Sequence, residues 1–329
     1  MRYIIIGAGA VGGAIGGLLS GSGREVVLVA RGPHLEALRA HGLWLQLADG
    51  ERQLSIPAVA GPDELTPRDD DVLVLCVKTQ HTPGVLDTWA SYGCGTGTGA
   101  RRGHGPAVVC AQNGVENERL ALRRFADVYG MCVWLPSSFL EPGVVRALCT
   151  PLPGMLHLGR YPSGSDATAR AIADDLTGAG FAAPVTDDVM AWKYAKLLAN
   201  LVNAADAVLG PDEDAQHELV TRARAEGAAA LAAAGIAYVG AEEQSRTRGD
   251  QVNSPPGNRS STWQSLTRGA GSIESDYLNG EIVLLGRRFG VPTPVNEALR
   301  QAANRAARER RAPGDLSAGE REELLSAGR

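Results

Sequence analysis

Residues 2–13, RYIIIGAGAVGG, decide how the rest of the chain is read. A run of β-branched residues ends in a G-x-G-x-x-G pattern made by Gly7, Gly9 and Gly12, and an alanine- and glycine-rich segment of helical character follows. Strand, tight turn and helix in that order are what a dinucleotide-binding βαβ unit requires. The first glycine permits the turn, the second lets a pyrophosphate approach the backbone, and the third lets helix and strand pack closely. The helix N-terminus offers free N–H groups and the positive end of its dipole to the phosphate. A purely structural glycine turn is the alternative. The strand before, the helix after and a second strand at the expected distance favour the nucleotide reading.

Working outward, EVVLVA (25–30), DVLVLCV (71–77) and AVVCAQ (107–112) are further short apolar runs bounded by Gly, Asp and Pro. Such strands suit a parallel sheet covered on both faces. WLQLADGERQLSI (44–56) alternates around Asp-Gly and predicts a hairpin. Later strands are expected at 128–134, 143–149 and 154–160. The glycine-rich stretch 92–106 is expected to be a flexible surface loop with no chemistry. After Asp187 the texture turns helical, over 189–209, 215–234, 260–287 and 295–310, with a polar break at 240–261 and a charged tail from Arg311 that is expected to fray. The reading is an α/β fold: an N-terminal Rossmann-type doubly wound sheet over 1–187, then an all-helical C-terminal domain over 188–329. A cleft between two such domains is a common ligand site.

Composition narrows the function. The chain of 329 residues carries a net charge of −5, which gives no electrostatic case for nucleic acid or an anionic membrane as partner. No apolar stretch reaches the ~20 uncharged residues of a membrane helix, and the apolar N-terminus fits a strand and turn better than a signal peptide. The 5 cysteines form no CxxC pair or Cys/His cluster, so no metal site and no oxidising compartment is indicated. A cytoplasmic protein is expected.

The second strand ends in VARG. NAD-specific folds usually place Asp or Glu there for the ribose hydroxyl, whereas Arg31 suits a 2′-phosphate by charge and fork geometry. The expected cofactor is therefore NADPH rather than NADH, unless Arg31 is an ordinary surface arginine. Lys78 and Asn113 follow two other strands at the carboxyl edge, where open α/β sheets bind ligands; either could also be only a turn residue.

WKYAKLLANLVNA (192–204) is the chain's most puzzling helix. With Lys196 set at zero, Lys193 falls at roughly 60°, Asn200 at roughly 40° and Asn203 at roughly −20°, a single polar stripe. A stripe of this kind is ordinarily a solvated face. Asparagine, however, is a poor mid-helix residue and asks for a reason. Glu274, Asp276 and Glu281 form a second polar stretch, either exposed charges or, for Glu274, a partner for Lys196. The hydroxyls of SSTWQ (260–264) sit at an apparent helix start, where capping is their default role.

GAGAVGGAIG, VARG, VKTQ, AQNGVENE, KLLANLVN, SSTWQS and SIESDYLNGEI together resemble the ketopantoate reductase family in order and spacing, over nearly the whole chain. The resemblance implies a Rossmann domain and a helical domain, NADPH, and reduction of 2-dehydropantoate to (R)-pantoate in pantothenate biosynthesis. It implies Lys196 as general acid and Glu274 as its acidic support. Asn113, Asn200, Asn203 and Ser261 would hold the 2-oxo acid, and Gly7, Gly9, Ala10, Val11, Gly12, Arg31, Lys78 and Asn113 the cofactor. A homodimer is possible. Many family members carry a second asparagine eight residues after the lysine, where this chain has Ala204, and the serine register against Ser260 or Thr262 is open. Another 2-oxo acid reductase, an opine- or imine-type dehydrogenase of a specialised pathway, and a non-catalytic NADPH-binding regulator are the rival readings.

Overall fold

Side-chain alternation along β1 (Arg2–Ile6) builds two cores at once. Tyr3 and Ile5 face α1 (Ala10–Gly21) in one cluster with Ile15, Leu18 and Leu19. Ile4 and Ile6 face the opposite cluster, with Leu86 and Trp89 of α3 (Thr82–Trp89) and Ala121 of α4 (Asn117–Leu122). All five β1 residues are buried, and each isoleucine contributes roughly 1.5–3 kcal/mol through removal from water. The structure, a computed structural model, describes residues 1–93, 105–257 and 259–328; most of the expected loop at 92–106 lies outside them.

The described residues divide into two units that are not contiguous in sequence. The first takes in Met1–Gln112, Glu116–Trp192 and Ala241–Pro256, the second Asn113–Val115, Lys193–Gly240 and Gly257–Arg329. In the first unit a seven-stranded sheet runs β5 (Ala58–Val59), β2 (Glu25–Val29), β1, β6 (Asp71–Leu75), β7 (Ala107–Cys110), β8 (Val128–Trp134), β12 (Met155–Arg160). Every pair is parallel except the antiparallel edge strand β12. The order reverses at β1, so the crevice outside the strand ends lies at the glycine turn, as in a doubly wound nucleotide fold. At the other edge a buried pair, Arg2 Nε to Asp71 Oδ1 at 2.7 Å, pins β1 to β6, with the Tyr92 hydroxyl donating to the same carboxylate at 2.9 Å.

The expected hairpin is present as β3 (Leu43–Leu47) and β4 (Gly50–Leu54), and two more strands extend it into a sheet, β4-β3-β10-β9, with β9 (Ser138–Glu141) and β10 (Val144–Ala147). β10 joins β3 in parallel across a hundred residues of sequence, a pairing without a local signal. This sheet covers α1: a side chain on Gly13 would strike Val145, and one on Gly17 would strike Leu43 and Leu45. Helices α2 (Gly32–His41) and α5 (Ala167–Gly178) complete the layers. The polar break at 240–261 is not featureless: α9 (Ala241–Arg248) precedes β13 (Val252–Asn253), which pairs with β11 (Thr150–Pro151).

The second unit is helical. The expected helix 189–209 is two, α6 (Val189–Asn200) and α7 (Val202–Leu209). Arg224 of α8 (Glu213–Ala233) donates to the carbonyls of Leu198 and Ala199 at 3.3 and 3.4 Å, which competes with the helical bonds those carbonyls would otherwise accept. The expected helix 260–287 is likewise divided. Gly269 takes a left-handed φ of 63° and ends α10 (Ser261–Thr267), and α11 (Asn279–Phe289) begins only after a 3-10 turn at Ser275–Tyr277. After α12 (Pro294–Arg308), the tail folds rather than frays: α13 (Ala318–Ser326) opens with a Ser317/Glu320 capping box, Arg311 grips Glu320 at 2.9 Å, and Leu324 is buried.

Candidate functional site

Strand register brings the first unit's candidate residues to one edge. Ile6 is level with Val29 and with Leu75, and Leu75 with Cys110, so the glycine turn, Arg31, Lys78 and Gln112 all follow strand ends on the same side of the sheet. Gly7 sits at φ 102°, and its N–H and that of Ala8 both donate to Val29 O at 3.1 Å. A side chain on Gly7 would collide with the Val77 backbone at 2.9 Å, and one on Gly12 with the Gly7 carbonyl and the Ile5 side chain. At Gly9 a side chain would meet nothing within 4 Å. Two glycines are thus required by packing, while the third keeps clear the space above the turn. The turn leads into the N-terminus of α1, where Ala10 and Val11 begin the helix and its first turn carries no acidic side chain. A pyrophosphate fits this cradle.

Arg31 is exposed as the N-cap residue of α2. Lys78 is half-buried at the N-cap of the 3-10 turn Thr79–His81. Behind it lies a buried amide and hydroxyl network that sequence reasoning did not single out. Gln112 donates to Val77 O at 2.9 Å and to Thr82 Oγ1 at 2.7 Å, Thr82 donates to Asn117 Oδ1 at 2.8 Å, and Asn117 donates to Thr79 Oγ1 at 3.1 Å. Thr79, Thr82 and Asn117 are fully buried. The network ties the segment after β6 to the segment after β7. Its signal was present as Gln112 and Asn117 within AQNGVEN, but nothing local says that these amides turn inward.

In the second unit, Asn200 at the end of α6 donates to Asn113 Oδ1 at 3.0 Å, although 87 residues separate them. Asn203 on α7 donates to Ser261 Oγ at 3.4 Å. Ser260 is the N-cap of α10, accepting from Trp263 N at 3.1 Å, and its hydroxyl also donates to the Asn203 carbonyl at 3.4 Å, so both serines lie beside Asn203. Asp206 fixes this helix start by accepting from Ser260 N and from Arg259 at 3.0 and 3.1 Å. Both Asn200 and Asn203 are buried, so the stripe is not a solvated face. Lys196 lies one helical turn before Asn200 on α6 and is half-buried, whereas Lys193 is only 3% exposed. Glu274 is buried too, but it precedes the 3-10 turn and is not on a helix; its carbonyl accepts from Tyr277 N at 2.9 Å. Among these residues, hydrogen bonds join Asn200 to Asn113 and Asn203 to Ser261.

Among the described residues no group of His, Cys, Asp or Glu could hold a metal, and no helix is long and apolar enough to cross a membrane. Two family models match the chain: Ketopantoate reductase PanE/ApbA over residues 3–163, and Ketopantoate reductase PanE/ApbA C terminal over residues 188–307. A 2-dehydropantoate 2-reductase of Mesorhizobium japonicum is 29% identical, with 94% of this chain and 99% of the relative covered. One from Halobacterium salinarum is 28% identical, over 94% of this chain and 100% of its own. A crystal structure of a PanE/ApbA family ketopantoate reductase from Ralstonia eutropha JMP134 superposes with a TM-score of 0.76 at 26% identity, covering 94% of this chain and 99% of that one. With the doubly wound sheet, the helical unit and both family models in agreement, the chain belongs to the ketopantoate reductase family, oxidoreductases that act on CH–OH groups.

Proposed function

We propose that this chain is an NADPH-dependent 2-oxo acid reductase whose substrate is 2-dehydropantoate. Family membership implies a nicotinamide cofactor and a small-molecule substrate. The observation that carries the finer reading is the polar set of the second unit: the Asn200–Asn113 and Asn203–Ser261 pairs, with Lys196 one turn from Asn200.

When bound, the nicotinamide supplies a hydride to the ketone carbon, and negative charge then develops on the carbonyl oxygen. Lys196 Nζ donates the proton to that oxygen. A cation placed there stabilises the transition state more than the neutral ketone, which is the requirement for catalysis. Glu274 supports the lysine and accepts from the substrate's hydroxyl. Asn113, Asn200, Asn203 and Ser261 orient the substrate carboxylate through neutral donors, and so add no second full charge beside the acid. Gly7, Gly9, Ala10, Val11 and Gly12 hold the cofactor's pyrophosphate, and Arg31 and Lys78 its remaining phosphate charge. Arg31 in place of an acidic residue after β2 supports NADPH over NADH.

The test is NADPH oxidation by the purified chain with 2-dehydropantoate, beside other branched 2-oxo acids and an NADH control. Turnover fastest on 2-dehydropantoate, with NADPH preferred, is expected. Faster turnover of another 2-oxo acid would sink the substrate assignment, and a preference for NADH would sink the role given to Arg31.

A further inference from the structure

His34 joins three separate parts of the first unit. It is the third residue of α2, its Nε2 lies 2.7 Å from the carbonyl oxygen of Ala8 in the glycine turn, and the N–H of Gly143 between β9 and β10 donates to its Nδ1 at 2.9 Å. Phe139 of β9 packs on the ring at 4.4 Å between centroids. A carbonyl can only accept and a backbone N–H can only donate, so the two partners assign the proton to Nε2. The ring is a neutral tautomer with both nitrogens engaged.

The Ala8 carbonyl belongs to the same peptide as the N–H of Gly9. In a planar trans peptide the C=O and N–H point in opposite directions. By holding the carbonyl towards α2, His34 aims the Gly9 N–H away from α2, at a residue where a side chain would meet nothing within 4 Å. We propose that His34 is a positioning residue for cofactor binding, whose neutral ring sets the Ala8–Gly9 peptide for a dinucleotide phosphate and whose protonation removes the Gly143 bond that orients the ring. This rests on the turn being the dinucleotide site. A second proton on Nδ1 would face the Gly143 N–H, donor against donor, and break the bond to the β9–β10 connection. Burial lowers the His34 pKa, with the Ala8 bond acting in the opposite sense. The charged or titratable side chains on the elements packed around it are Arg31, Glu36, Arg39 and His41 on α2, and Glu141 and Arg146 on β9 and β10, the last two paired with each other at 3.4 Å; α1 contributes none.

The experiment is fluorescence titration of NADPH onto the intact chain between pH 5.5 and 8, for wild type, His34→Gln and His34→Ala. Glutamine can still donate to the Ala8 carbonyl but does not titrate. His34→Ala is expected to bind roughly five- to tenfold more weakly at pH 8, the loss that goes with one neutral hydrogen bond, with kcat at saturating NADPH little changed. His34→Gln should recover most of that loss and should lack the wild type's added weakening towards acid pH. The cofactor's own phosphate titration is common to all three proteins and cancels. Identical pH profiles for wild type and His34→Gln would overturn the positioning role while leaving the cofactor site standing; failure of wild type to bind NADPH at any pH would overturn both. Imidazole proton–nitrogen NMR of wild type needs no variant to fold. A proton on Nε2 at pH 7.5 with one further proton taken up on acidification supports the proposal, and a proton on Nδ1 at pH 7.5 overturns it.

Discussion

Asn200 and Asn113 share one hydrogen bond, Nδ2 to Oδ1 at 3.0 Å, which ties the last residue of α6 to the segment that follows β7. Asn200→Ala should remove the proposed substrate donor and this brace together, lowering kcat/KM for the 2-oxo acid by roughly 10- to 100-fold, mostly through KM. Steady-state kinetics at saturating NADPH check it; an unchanged KM would take Asn200 out of the substrate site.

Lys196 lies four residues before Asn200, on the same side of α6. Lys196→Ala should lower kcat by about 10²- to 10⁴-fold, the range for loss of a positioned general acid, and leave NADPH binding as it was. Kinetics paired with cofactor titration separate the two effects. Retained turnover in Lys196→Ala would end its assignment as the acid and direct attention to another proton donor.

The glycine turn offers a paired test because its glycines are present for different reasons. A methyl on Gly12 would run into the Gly7 carbonyl and Ile5, whereas a methyl on Gly9 would meet only open space. Gly12→Ala should therefore destabilise the fold by roughly 1–3 kcal/mol, as overpacking does. Gly9→Ala should keep the wild-type melting temperature and lose cofactor affinity. Thermal unfolding without ligand, followed by NADPH titration, distinguishes them, and equal melting losses in both variants would contradict the packing argument.

His157 on β12 is 1% exposed and stacks on Trp192 at 3.8 Å, and neither ring nitrogen has a hydrogen-bond partner. Burial lowers its pKa to about 4. The unfolded chain, with an ordinary histidine value of about 6.5, takes up a proton that the folded chain refuses. The stability this contributes is complete above pH ~6.5 and is lost as the pH falls towards 4, by roughly 3 kcal/mol over the interval. Denaturant unfolding at pH 7 and 4.5 should show a smaller loss for His157→Phe, which keeps the ring stack and has nothing to protonate. Equal losses in the two proteins would show that His157 is not the group responsible.

Much of this was legible in the chain itself. The β1–turn–α1 unit follows from glycine spacing and a β-branched run, because each requirement is met within a dozen residues. The parallel strands β2, β6 and β7 announce themselves as continuous apolar runs, since a strand covered on both faces has no polar side to show. Lys196 and Asn200 share a helix face by period alone.

What only the tertiary structure decided depends on partners distant in sequence. The polar stripe of α6 is buried rather than solvated, and Asn200 meets Asn113 across 87 residues. The break at Leu201 answers to Arg224, which reaches the carbonyls of Leu198 and Ala199 from a different helix. The charged tail is held because Arg311 finds Glu320 and Leu324 finds a buried place. His34 reads as an unremarkable helix residue until the Ala8 carbonyl and the Gly143 N–H arrive on its two nitrogens. Local backbone preference and apolar period act within a few residues, so a sequence displays them. Which amide, carbonyl or charge satisfies another is settled only when folding brings the two together.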